Sequence, residues 1–112
     1  MMFGFLDMLG NYPQRRVERY EAQTEAGRIL ISTAFVTDGA KPYETAVGHP
    51  DYNDGKYVIV QAYDTVEEAR TQHFQWVRQM TNEPLPTCLI DCGNGMFGSP
   101  GEQYPRTYDV AG

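Results

Sequence analysis

A chain of 112 residues that is 41% hydrophobic, 12% aromatic and 21% charged has room for one domain around one modest core. Nine basic residues against fifteen acidic ones leave a formal charge of −6, and the only adjacent basic pair, Arg15-Arg16, is soon followed by Glu18 and Glu21. A phosphate backbone rewards clustered cations, so direct nucleic-acid binding is not expected; the acidic residues are too dispersed for a DNA mimic, and no apolar run approaches the ~20 residues of a membrane span.

Residues 1–12 read as an apolar arm carrying Phe3, Phe5, Leu6, Met8 and Leu9. The arm has neither a basic n-region nor a small-residue cleavage site, so a signal peptide is not expected. Gln14 to Gln23 alternates with mostly polar side chains and suits an edge strand whose charges discourage further pairing. Gly27 marks a turn, and Arg28 to Thr37 is rich in β-branched and aromatic residues, a strand. The run Asp38-Gly39-Ala40-Lys41-Pro42 breaks it, and Tyr43 to Gly48 forms a third strand. The loop His49-Pro50-Asp51-Tyr52-Asn53-Asp54-Gly55 follows, ending in a tight-turn signal. Lys56 to Tyr63 is apolar on both faces, which predicts a central strand covered on both sides.

Thr65 with Glu68 three residues later is a capping box, and the acidic residues around it suit the positive end of a helix dipole. At about 100° per residue, Val66, Ala69, His73, Trp76, Val77 and Met80 share one arc of that helix. Pro84 and Pro86 stop it. Thr87 to Asp91 can add a last short strand. From Gly93 onward glycine and proline are too dense for regular structure, which leaves residues 93–112 as a second arm around a domain at 13–92. The expected fold is α+β: a four- to five-stranded, mainly antiparallel sheet with one amphipathic helix packed on one face, flanked by N- and C-terminal arms.

Few constellations carry chemistry. His49, Asp51, Asn53 and Asp54 offer oxygen and imidazole groups, yet counted from Asp51 the loop fails the calcium-loop spacing, with Gly55 at five and Ala62 where a glutamate belongs. The plain reading is a hairpin loop whose Asp and Asn bond their own backbone and whose Gly55 supplies φ > 0. His73, flanked by Ala69, Trp76, Val77 and Met80, is expected to be partly buried and neutral. It either closes the helix–sheet seam by bonding one carbonyl or tyrosine hydroxyl or acts as a general base facing Tyr43 or Asp51 across the sheet, and no second positioned group is evident for the latter. Cys88 and Cys92, about 13 Å apart if on one strand, read as buried, reduced free thiols. No zinc spacing, P-loop, nucleophile elbow or dinucleotide fingerprint is present, so neither a metal nor another cofactor is expected. The weak ligand-binding candidates are His49, Asp51, Tyr52, His73 and Trp76. The arms add apolar area, through Phe3, Phe5, Leu6 and Leu9 at one end and Phe97, Tyr104 and Tyr108 at the other, that must fold back or meet another subunit.

The segment Tyr43-Glu44-Thr45-Ala46-Val47-Gly48-His49-Pro50-Asp51-Tyr52-Asn53-Asp54-Gly55, with Tyr63-Asp64-Thr65-Val66-Glu67-Glu68-Ala69, His73 and Trp76-Val77, resembles short uncharacterised proteins of tailed bacteriophages and prophages. The opening Met2-Phe3-Gly4-Phe5-Leu6 is similar as well, and the likeness spans roughly residues 2 to 91. It implies a phage-encoded protein of the virion or of the infected bacterial cytoplasm and transfers no catalytic residue. The leading expectation is a non-enzymatic structural or accessory virion protein, assembling through its arms with itself or with other phage structural proteins. The alternative is a small module that sequesters a host protein or a small ligand, with a pocket near His49, Tyr52, His73 and Trp76. The third is a hydrolase-type enzyme using a His/Asp pair.

Overall fold

Arg16–Thr24 (β1) and Gly27–Phe35 (β2) form a hairpin in a computed structural model that describes residues 15–37, 40–92 and 106–111. The turn is tight because Gly27 takes φ 143°, a conformation that side chains disfavour. Thr24 also staples it, its hydroxyl accepting from the Gly27 N–H and donating to the Gly27 carbonyl. Tyr43–Gly48 (β3) and Val58–Tyr63 (β4) complete an antiparallel sheet of order β1-β2-β3-β4. Two irregularities bend it, one in β1 between Arg16 and Glu18 and one where Thr45 and Ala46 face Gln61 and Ile59. Each inserts an extra residue and increases local twist.

Val66–Thr81 (α1) lies across one face of this sheet. Thr65 caps it as expected, its hydroxyl oxygen accepting from the Glu68 N–H at 3.2 Å. Ala69, His73 and Met80 are buried from the helix side. The core gathers Ile29, Ile31, Val47, Tyr52, Val58, Met80 and Leu89, with Trp76 and Val77 packed against it. Burying each such aliphatic side chain stabilises the fold by roughly 1.5–3 kcal/mol.

The architecture is α+β, and three details differ from the sequence reading. β4 is an edge of the four-stranded sheet, not its centre. Burial on both faces belongs to β2 and β3, where Leu30, Ser32, Ala34, Glu44 and Ala46 are enclosed together with Ile31, Thr33, Thr45 and Val47. Apolar residues on both sides of β4 mislead because Ile59, Val60 and Ala62 are only half-buried at the sheet edge. The last strand, Cys88–Asp91 (β5), joins a separate two-stranded antiparallel sheet rather than the first. It adjoins β4 through the Cys92 N–H, which donates to the Ile59 carbonyl at 2.9 Å.

The partner of β5 is Arg106–Asp109 (β6), inside the segment expected to lack regular structure. Tyr108 sits opposite Leu89, and Tyr108 and Val110 pack on the core. The Ala111 N–H donates to the Asp51 carbonyl at 2.7 Å, tying this end to the His49 loop. Tyr108 is therefore part of the domain. The other arm residues singled out above, Phe3, Phe5, Leu6, Leu9, Phe97 and Tyr104, lie outside the described residues.

Candidate functional site

Register places one polar row across all four strands. Glu18 faces Thr33, Thr33 faces Thr45, and Thr45 faces Gln61. The row lies under α1, where hydroxyls in an apolar layer must bond to one another or pay a desolvation penalty. They do. His73 Nδ1 meets Thr33 Oγ1 at 2.8 Å, Thr33 meets Thr45 at 2.6 Å, and Thr45 meets the Tyr63 hydroxyl at 2.9 Å. Tyr63 then donates to Gln61 Oε1 at 3.2 Å, and the same oxygen accepts from Trp76 Nε1 at 2.9 Å.

The direction of this chain is fixed from one end. An indole N–H only donates, so the Gln61 atom it meets is the carbonyl oxygen. Tyr63 must then donate to that oxygen and accept from Thr45, and Thr45 in turn accepts from Thr33. Thr33 has one proton, already given, so it accepts from His73, whose Nδ1 carries a hydrogen. Burial pushes the His73 imidazole below its usual range, with Glu18 partly opposing. Burial likewise raises the Tyr63 phenol. Both groups are held neutral at ordinary pH.

His49 has the opposite arrangement. It is buried, and its Nδ1 accepts the Asp51 backbone N–H at 3.0 Å. The proton of the neutral ring is therefore on Nε2. Burial lowers the His49 pKa, opposed by the charges of Asp51 and Glu83. The contact joining His49 to Asp51 is backbone to ring rather than carboxylate to ring. Beyond Asp51 the chain makes a single 3₁₀-type turn at Asn53–Gly55, in which Asn53, Asp54 and Gly55 have φ of 51°, 54° and 81°. The positive-φ role expected of Gly55 alone is thus shared with an Asn and an Asp, the side chains that tolerate it best.

The expected pocket around His49, Tyr52, His73 and Trp76 does not form as one site. His73 and Trp76 belong to the internal chain of hydrogen bonds. Tyr52 is buried with its ring edge-on to His49 at 5.3 Å and its hydroxyl donating to the Pro86 carbonyl. His49 and Asp51 line a cleft of about 300 Å³, walled also by Tyr20, Met80, Glu83 and Leu85. A second cleft, of about 520 Å³, runs between the β1–β2 turn and the 49–55 loop past Arg28, Gly48 and Tyr57. There the Arg28 guanidinium donates to the Tyr57 hydroxyl at 3.1 Å and pairs with Glu21 at 3.3 Å. A side chain at Gly48 would meet the Tyr57 ring at 3.0 Å.

Sequence reasoning passed over Thr33, Thr45, Gln61, Tyr63 and Glu83. The one available signal was a pair of threonines inside otherwise apolar strands. Cys88 and Cys92 are free thiols, but neither is buried as expected: Cys88 is half-buried and Cys92 exposed, both lying at the rim of the core. Among the described residues no three His, Cys, Asp or Glu side chains are grouped to hold a metal ion, and no helix is long and apolar enough to cross a membrane. No protein-family model, no curated protein and no solved structure matches the chain.

Proposed function

We propose that the chain is a non-enzymatic bacteriophage protein, a structural or accessory component of the virion that acts through contacts with its own copies or with other phage structural proteins. One observation carries this reading: both histidines are committed to internal hydrogen bonds. His73 donates from Nδ1 into a buried chain and is itself only 1% exposed, which keeps its Nε2 lone pair out of reach of substrate, and the accepting nitrogen of His49 is occupied by the Asp51 N–H. A general base needs an available lone pair within reach of substrate, and a His49–Asp51 dyad would need the carboxylate, not the amide, on the ring. Meanwhile Phe35, Phe74 and Ile90 are exposed apolar side chains, which suits a protein whose surface meets other proteins. The apolar residues of segment 1–12 and the phage-like motifs support the same reading.

A virion component occurs in stoichiometric amounts in mass spectra of purified particles of the encoding phage. Its absence there would overturn the assignment. The assembly role of residues 1–12 is tested by light scattering on the full chain and on residues 13–112, since β6 must be retained. An oligomer that becomes a soluble monomer on trimming supports it; equal masses refute it. A second reading, a module that binds a host protein in the infected cell, is favoured by the His49 cleft, and there the protein would be absent from particles.

A further inference from the structure

The cleft beside His49 combines apolar and acidic lining. Ile29, Leu85 and Tyr20, with the buried Met80 beneath, line it together with Asp51 and Glu83. The C-terminal turn of α1 also opens onto it at Thr81 and Asn82, and the carbonyls of a helix C-terminus carry partial negative charge. Among the described residues neither Asp51 nor Glu83 is paired with a lysine or arginine. His49 adds a separate indication. Its side chain walls the cleft while the residue is only 5% exposed, and with Nδ1 taken by the Asp51 N–H its Nε2–H has no hydrogen-bond partner among the described residues. A buried donor left in that state calls for an acceptor.

We infer that this cleft receives a lysine or arginine side chain from a partner protein. The alkyl stem lies on Leu85, Tyr20 and the exposed edge of Ile29, as long cationic side chains do on apolar surface. The charged head meets Asp51, Glu83 and the helix end. The His49 Nε2–H donates to a backbone carbonyl of the same residue. That last contact separates a peptide from a free alkyl amine, which has the charge and the stem but no carbonyl. The inference rests on the interaction-protein reading above and names the chemistry of its partner.

The test is an amide-resolved NMR titration of the full chain with Nα-acetyl-lysine N-methylamide. Shifts confined to the cleft-lining stretches 20–29, 49–51 and 80–85 are expected. Glu83→Gln should weaken binding about three-fold, and Glu83→Gln with Asp51→Asn about ten-fold, as partly exposed charge pairs do. The uncharged norleucine analogue should bind at least ten-fold more weakly. Absence of localised shifts, equal binding of the norleucine analogue, or no response to the acidic-side-chain variants would each overturn the inference. If n-butylammonium binds as tightly as the lysine derivative, the peptide assignment is lost. Failure of the titration with the chain still stoichiometric in particles removes this inference alone; absence from particles removes the virion reading alone.

Discussion

Trp76 and His73, one turn apart on α1, are the two ends of a single hydrogen-bonded chain that runs down into the sheet and back, through Thr33, Thr45, Tyr63 and Gln61. The indole decides the polarity of every bond in between, and so decides which nitrogen of His73 holds the proton. A helix seated on a sheet by apolar contact alone can slide; this one is registered by donors and acceptors that fit in one order only.

The two histidines should therefore be opposite tautomers. Long-range proton–nitrogen correlation spectra of labelled protein at neutral pH are expected to show His73 protonated on Nδ1 and His49 on Nε2. Trp76→Phe removes the donor that sets the direction. It should cost about 1 kcal/mol or more and leave His73 as a mixture of tautomers. A His73 still held as the Nδ1 form in that variant would mean the polarity originates elsewhere.

Thr33→Val leaves the His73 N–H without an acceptor, and Thr45→Val leaves Tyr63 and Thr33 each short of a partner. Each should destabilise the fold by about 1–3 kcal/mol, read from urea unfolding midpoints. The double variant should lose less than the sum, because the two hydroxyls share one bond. Additive losses would show that the threonines act independently.

Acid should destabilise the fold. Burial depresses both imidazoles below the ordinary value of 6.5, so the folded state favours the neutral rings and the unfolded chain takes up protons first. Their contribution is complete above 6.5 and is lost as pH falls below it towards the folded pKa values. Thermal midpoints measured through that window should decline, and His73→Gln, which keeps an N–H for Thr33, should decline less steeply. An unchanged slope in the variant would remove His73 as a source of the effect.

Removing residues 106–112 should cost about 3 kcal/mol or more, since Tyr108 and Val110 leave the core. Hydrogen exchange should then accelerate in β5 and at the 49–55 loop, where the Val110 and Ala111 amides now bond to Thr87 and Asp51. A truncated chain with unaltered exchange at Leu89 would make β6 dispensable.

Much of the architecture is legible in local sequence, and the misses share a cause. α1 announces itself because its cap and its apolar arc are both short-range features of Thr65 to Met80. β2 and β3 are legible from β-branched density. β6, with the sequence Arg106-Thr107-Tyr108-Asp109, has no intrinsic signal; it is a strand because β5 lies beside it. The position of β4 is misread because apolar residues on both of its faces suggest two full covering layers, whereas Ile59, Val60 and Ala62 are only half-buried at an edge that β3 flanks on one side. The polar row was invisible for a related reason. Whether Thr33, Thr45 and Gln61 line up is set by turn lengths and bulges, and a slip of one residue would send each hydroxyl to the other face. His73 could be recognised as buried, but its partner could not be named.

Because the strand paired with β5 among the described residues is Arg106–Asp109, the two-stranded sheet closes during synthesis only after that stretch has left the ribosome. The four-stranded sheet and α1 emerge first, with Leu89 and the rim of the core still uncovered. A nascent chain stalled between Asp91 and Arg106 would present an unfinished hydrophobic surface to chaperones. Completion of the fold is thus coupled to the synthesis of a stretch that follows β5, and insertions placed between β5 and β6 would delay it more than insertions ahead of β1.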